Sequence, residues 1–209
     1  MFRSKFTVIP IGMNCEVAHQ LRELGARSDA YPFDWTVTPM RSVIELVENE
    51  FDDFLEERNL TFLPAVPRML FQDDGSVVKI SNELVTPVVC RRYSILFPHD
   101  FSVKGVEDLP DVRTKYARRI ERFRNALSSN QRMILSFVNH PPNEWQAAQY
   151  HLADVSFDQP ADGDLSDVLR SALLEKPNIQ VLSLAGTLKL VGRRPLIRSL
   201  VRRIRALCR

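Results

Sequence analysis

Apolar positions along the chain alternate between short continuous runs and stripes at helical spacing. Residues 6–11 (FTVIPI) are β-branched and aromatic, which predicts a strand that Pro10 pushes toward its end. Asn14 then suits an N-cap, Val17, Leu21 and Leu24 make one apolar helical face, and Gly25 supplies the C′ position that stops the helix. Strand, tight turn and helix form the opening of a βα unit. Residues 31–35 (YPFDW) read as a short strand or buried loop, followed by a helix capped by Thr38 with Pro39 at its first position. Val43, Ile44, Val47, Phe51, Phe54 and Leu55 continue that helix at its own spacing. Residues 68–81 (RMLFQDDGSVVKIS) read as a hairpin turning at Asp74-Gly75, and the apolar run 93–97 (YSILF) ends directly in PHDF.

The second half is read in the same way. Residues 111–128 carry the clearest helical stripe, Val112, Tyr116, Ile120, Phe123 and Leu127. Residues 132–138 (RMILSFV) predict a strand, 139–145 (NHPPNEW) lead into a helix, Asp164 opens another over 164–175, and 179–185 (IQVLSLA) form a closing strand. Helices between apolar strands predict an α/β fold with a central, mostly parallel but mixed sheet and helices on both faces. The hairpin requires at least one antiparallel edge. The expected organisation is a single catalytic-type domain over 1–187 and a basic amphipathic helix over 188–209.

Composition narrows the class without changing it. The 209 residues, 44% hydrophobic and 26% charged, describe an ordinary soluble globular chain large enough for a real core. No segment approaches the ~20 apolar residues of a membrane span, and the N-terminal apolar run is too short for a signal peptide. Three cysteines at spacings of 75 and 118 give no disulfide framework, so a reducing cytoplasm is expected. The net charge of +2 is uneven: 193–209 (RRPLIRSLVRRIRALCR) hold seven arginines and no acid, leaving 21 basic against 26 acidic residues before them. Leu196, Ile197, Leu200, Val201, Ile204 and Leu207 line one side of that tail. The pattern suits an interfacial helix on anionic lipid and equally a helix docked on the domain or on a partner. The sequence thus allows a peripheral membrane position.

The chemistry centres on Cys15. Just after the Asn14 cap, its thiolate would be stabilised by unpaired amides and the positive end of the helix dipole, and the same amides could hold an oxyanion. A lone cysteine also serves simply as a packing residue. A nucleophile needs a base, and the chain has four histidines. His19 shares the helical face of Cys15, His99 and His140 each follow an apolar strand, and His151 lies inside a predicted helix; spacing does not choose between His19, His99 and His140. PFDW also has a plain reading, with Phe33 and Trp35 in the core and Asp34 bonded to backbone amides.

The segment IGMNCEVAHQLRELGARSDAYPFDW, with FPHDF and KYARRIERFRNAL after it, resembles a bacterial family of unknown function described as papain-like cysteine peptidases. The resemblance covers roughly 7–140. It implies Cys15 as nucleophile and His99 as general base, in the order cysteine before histidine. For the residue that orients the imidazole it leaves two candidates, Asn139 and Asp34. It also brings a papain-like α+β fold as the alternative architecture, although a core strand running straight into the cysteine helix is closer to a Rossmann-like or hydrolase-like sheet. The resulting expectation is a cysteine-dependent hydrolase or acyl transferase of peptidase or amidase type, with neither metal nor organic cofactor implied. A non-hydrolytic protein binding a sugar or phosphate-containing ligand is the alternative, with IGMN facing a phosphate and Arg27, Arg91, Arg92, Arg118 and Arg119 as a basic lining. Nucleic acid is disfavoured as a partner, because the aromatics of the 111–128 helix fall on its apolar stripe and its six basic residues between 113 and 124 read as a solvated face.

Overall fold

The computed structural model describes residues 6–12, 15–23, 25, 29–71, 77–138 and 178–191. Its first half holds β1 (Phe6–Gly12), α1 (Cys15–Glu23), α2 (Met40–Glu48), β2 (Leu60–Phe62), β3 (Val66–Phe71), β4 (Val77–Cys90) and β5 (Ile95–Ser102). The second half holds α3 (Leu109–Ser128), β6 (Arg132–Val138), β7 (Ile179–Ser183) and α4 (Leu184–Val191). The chain is mixed α/β. Its strands, expected in one mixed sheet, hydrogen-bond as two: a parallel sheet in the order β1-β6-β7, and an antiparallel one in the order β2-β4-β3 with β5 also on β4. The long β4 accounts for the second sheet, since it offers antiparallel partners to β2, β3 and β5 along its length. The hairpin of β3 and β4 is present, with Phe71 opposite Val77; its turn at 72–76 lies outside the described residues.

A short extended segment stitches the two sheets together. Val37 and Leu96 of β5 exchange amide–carbonyl hydrogen bonds of 2.9 and 3.0 Å, and the next amide, Thr38 N–H, donates to the Gly12 carbonyl at the end of β1 at 3.0 Å. This use of Thr38 explains why it does not cap α2: that helix begins at Met40 with Pro39 at the cap, and the Thr38 hydroxyl pairs with Thr36 at 2.7 Å.

The core lies between the sheets and α3. Ile9, Ile11, Leu135 and Phe137 of the parallel sheet join Val43 of α2, Phe97 of β5, and Tyr116 and Phe123 of α3 in one buried cluster. Val8 and Ile134 belong to a smaller cluster with Val17 and Leu21 of α1. Phe51, Phe54 and Leu55, expected to extend α2, instead follow it in a turn. The helix stops at Glu48, and Glu50 and Phe51 take left-handed φ of 51° and 63°. The Phe51 amide reaches back to the Leu46 carbonyl at 2.8 Å, closing the helix end in the manner of a Schellman motif without glycine. Aromatic packing sustains that strained backbone, with the Phe51 ring 6.0 Å from both Phe33 and Phe123. Side chains of α3 also hold it: Arg113 donates to the Leu55 carbonyl at 3.0 Å and Arg124 to that of Glu50, while Arg122 reaches Ala30 at 2.7 Å. The expected solvated basic face of α3 is therefore partly a set of clamps on the 30–55 segment.

Among the described residues no helix is long and apolar enough to cross a membrane. The expected helices after 139 and over 164–175, and the basic tail 193–209, lie outside the described residues. The expected strand 179–185 ends at Ser183, where Leu184 already begins α4.

Candidate active site

Cys15 is the first residue of α1, immediately after the pair Met13 and Asn14 that follows β1. Gly12 makes the exit from the strand with φ of 107°, a region closed to side chains with a Cβ. At the far end of α1, Gly25 at φ 59° donates to the Arg22 carbonyl at 2.9 Å, the predicted glycine stop. The helix is held to the sheet by Val17 and Leu21, which are 1% and 0% exposed. Cys15 thus stands at the carboxyl edge of the parallel strands, where α/β folds gather their ligands. Gly12 pairs with Val138 in register, so β1 and β6 end at the same edge. Asn139 itself, like Asn14 and the side chain of Cys15, lies outside the described residues.

The second element is an irregularity in β5. Thr86 opposes Phe101 and Val88 opposes Phe97, so Pro87 alone faces Pro98, His99 and Asp100. Neither proline has an amide to give to the ladder, and the pairing breaks there. Bulges of this kind re-aim side chains and recur beside active sites. His99 was expected just after a strand; it sits within one, on this bulge, three residues from the Leu96–Val37 bridge. Its Nδ1 is buried and has no hydrogen-bond partner among the described residues. Burial is the largest influence on the imidazole and pushes its pKa below 6.5; Asp100 pulls it partly back, and Arg68, Lys115 and Arg119 push it further down. Burial thus favours the neutral ring, the form that can accept a proton.

The turn of PFDW packs against it. Trp35 lies edge-on to His99 with ring centroids 6.3 Å apart, and Arg22 of α1 covers the Trp35 ring at 5.6 Å. These two contacts run from α1 through the turn to the bulge. Asp34 is fully buried, and its Oδ2 accepts the Tyr31 amide at 2.8 Å, closing the turn on itself. Phe33 is 2% exposed and stacks edge-to-face on Phe123 at 5.5 Å.

Asp100, beside His99 on the bulge, anchors a charged network of which the sequence pointed only to Arg119, as part of the suggested basic lining. Its side chain is 6% exposed and accepts Lys115 Nζ on Oδ1 at 2.5 Å and the Tyr116 hydroxyl on Oδ2 at 2.7 Å. Burial alone would raise its carboxyl pKa, but the Lys115 charge, the His99 charge once acid protonates the imidazole, the Lys115 hydrogen bond and Arg119 together hold it below 3.8. Burial and the Asp100 charge push the Tyr116 hydroxyl well above 10, so it stays a donor. Arg119, 9% exposed, lies over the Tyr116 ring at 5.0 Å. The available signal was the i, i+1, i+4 spacing of Lys115, Tyr116 and Arg119 on a helix whose opposite face is solvated.

Other candidates fall elsewhere. His19 is half-buried on α1, while His140 and His151 lie outside the described residues. Of the suggested basic lining, Arg91 donates to Thr61 at 2.6 Å and Arg92 stacks on Tyr93 at 5.4 Å, both on the turn after β4. Arg118 is exposed and Arg27 lies outside the described residues. Cys90 is a packing thiol, fully buried, donating to the Phe54 carbonyl at 3.3 Å, its pKa raised by burial. Among the described residues no group of three His, Cys, Asp or Glu is arranged to hold a metal ion.

A family described as "Putative papain-like cysteine peptidase" matches residues 6–154, which include β1, α1, the PFDW turn, the β5 bulge and α3. An uncharacterized protein of Acanthamoeba polyphaga mimivirus is 28% identical over 144 residues, 65% of this chain and 63% of the viral protein. The chain thus spans less than two thirds of the length of that curated relative. No solved structure matches the chain.

Proposed function

Because the chain belongs to the family whose description is "Putative papain-like cysteine peptidase", we propose that it is a cysteine-dependent hydrolase or acyl transferase of peptidase or amidase type. Cys15 is the nucleophile and His99 its general base. The observation that carries this reading is the buried His99 imidazole, whose Nδ1 has no partner among the described residues, borne on a bulge of the strand that is stitched to the end of β1, directly before the Cys15 helix.

The steps follow from those positions. His99 takes the proton from the Cys15 thiol, and the helix N-terminus stabilises the thiolate left behind. The sulfur adds to the acyl carbonyl, and the amides of the first turn of α1 hold the oxyanion. On collapse the C–N or C–O bond breaks, and the imidazolium gives its proton to the leaving group. Water, or an acceptor amine or alcohol, then attacks the thioester with His99 again as base, releasing Cys15. The residue that would orient the imidazole is Asn139 or Asp34; Asp34 makes no bond to Nδ1 here, but it is fixed in a buried turn whose next residue, Trp35, packs on His99.

A dipeptidyl chloromethyl ketone tests this reading. Labelling of Cys15 that is fast in the parent and at least about a hundredfold slower in His99→Gln supports it, since a general base contributes 10²–10⁴. Equal labelling in both, or none on Cys15, contradicts it.

A further inference from the structure

We propose that Arg119 forms an anion subsite beside His99 that takes a carboxylate of the acyl substrate, an inference that rests on the hydrolase reading for its substrate but not for the binding itself. A guanidinium offers five N–H donors in a rigid fork. Arg119 is 9% exposed, and among the described residues its buried Nη1 has no hydrogen-bond partner and its guanidinium makes no ion pair. Among the described residues it lies over the Tyr116 ring, and its charge also bears on the Asp100 carboxylate. Burying a cation with donors unmatched is costly unless something supplies the counter-charge.

Other arginines of α3 have their acceptors. Arg113, Arg122 and Arg124 donate to the carbonyls of Leu55, Ala30 and Glu50, and Arg118 is exposed. The carboxylate next along the network, Asp100, feels the Arg119 charge but takes its side-chain hydrogen bonds from Lys115 on one oxygen and Tyr116 on the other. Arg119 follows Lys115 by four residues and Tyr116 by three, so it shares the helical face that addresses the Asp100–His99 bulge. Its charge is among those that bear on His99. A planar carboxylate fits the fork, and desolvation strengthens the contact. The substrate class is therefore a peptide or amide carrying a carboxylate near the scissile bond, on a side chain or at the chain terminus.

Binding is read on the full chain by NMR of ¹⁵N-imidazole-labelled histidine, with the His99 signal assigned through His99→Gln. The probes are N-acetylglutamate α-amide, N-acetylalanine, neutral N-acetylalanine amide and inorganic phosphate. A saturable shift of His99 by either carboxylate and not by the neutral amide is expected; which carboxylate binds tighter tells side chain from terminus. Arg119→Gln should weaken it by at least about tenfold, Arg119→Lys by less, and the exposed-site control Arg118→Gln not at all. Absence of a shift with both carboxylates, binding undiminished in Arg119→Gln, or phosphate binding tighter than both overturns the proposal. If Arg119→Gln does not fold, unweakened binding in Arg119→Lys has the same force, because lysine lacks the fork. An unreactive Cys15 with carboxylate binding intact removes the hydrolase reading and leaves the subsite; a reactive Cys15 without binding does the reverse.

Discussion

The Trp35 indole lies edge-on to the His99 imidazole at 6.3 Å, joining the turn that carries Asp34 to the bulge that carries the candidate base. Trp35 is half-buried and excludes water from one side of the imidazole. Trp35→Ala opens that side, so the His99 pKa should rise toward 6.5, because burial is the chief cause of its depression. The cost in stability should be about 2 kcal/mol, below the 3–5 typical of a fully buried aromatic. An NMR titration of the histidines and a denaturant melt read both effects.

His99 and Asp100 also set a pH dependence of stability in one direction. The folded imidazole binds a proton less readily than the unfolded one, so its contribution is complete above 6.5 and is lost as pH falls through the folded pKa. Asp100 is held ionised below 3.8, so its contribution is complete above that value and is lost at still lower pH. Stability should therefore decline in two stages on acidification. His99→Gln should remove the upper stage. Asp100→Asn should remove the lower one and cost about 2 kcal/mol at pH 7, the range for hydrogen bonds to a charged group.

Gly12 tests the geometry that launches the Cys15 helix. At φ of 107° any Cβ is strained, so Gly12→Ala should lower stability by roughly 1–3 kcal/mol and slow Cys15 modification, whereas Gly186→Ala on α4, whose added Cβ meets only ordinary contacts from 3.5 Å, should be nearly silent.

Local pattern was enough for much of this architecture. Residues 6–11, 111–128 and 132–138 announced β1, α3 and β6 because their periodicity arises within a few residues. The spacing of Phe51, Phe54 and Leu55 imitates a helix, and only the aromatic partners Phe33 and Phe123, distant in sequence, favour the left-handed turn that ends it. The β5 bulge was hidden for a similar reason: it depends on Pro87 facing Pro98 across a strand pair, which no single window contains. His99 and Asp34 could be picked out as residues; the Trp35 contact and the Asp100–Lys115–Tyr116 network required the fold. Arg113, Arg122 and Arg124 looked like a solvated face because a backbone carbonyl leaves no trace in sequence as an acceptor.

Cys90 supplies an internal contrast. Its thiol is buried against the Phe54 carbonyl and its pKa is raised, so iodoacetamide should modify it only once the protein unfolds. Mass spectrometry of the native protein after alkylation should find Cys90 unlabelled at times that label Cys15 fully.

The most direct test of the central claim is the rate of Cys15 alkylation against pH, in a background with Cys90 and Cys208 replaced by serine, with and without His99→Gln. The account predicts a thiolate titrating well below the ~8.5 of a free cysteine, and a rise toward that value when His99 is lost. A Cys15 that titrates near ~8.5 in both proteins, or does not react in either, would contradict a Cys15–His99 pair and make Cys15 a packing residue.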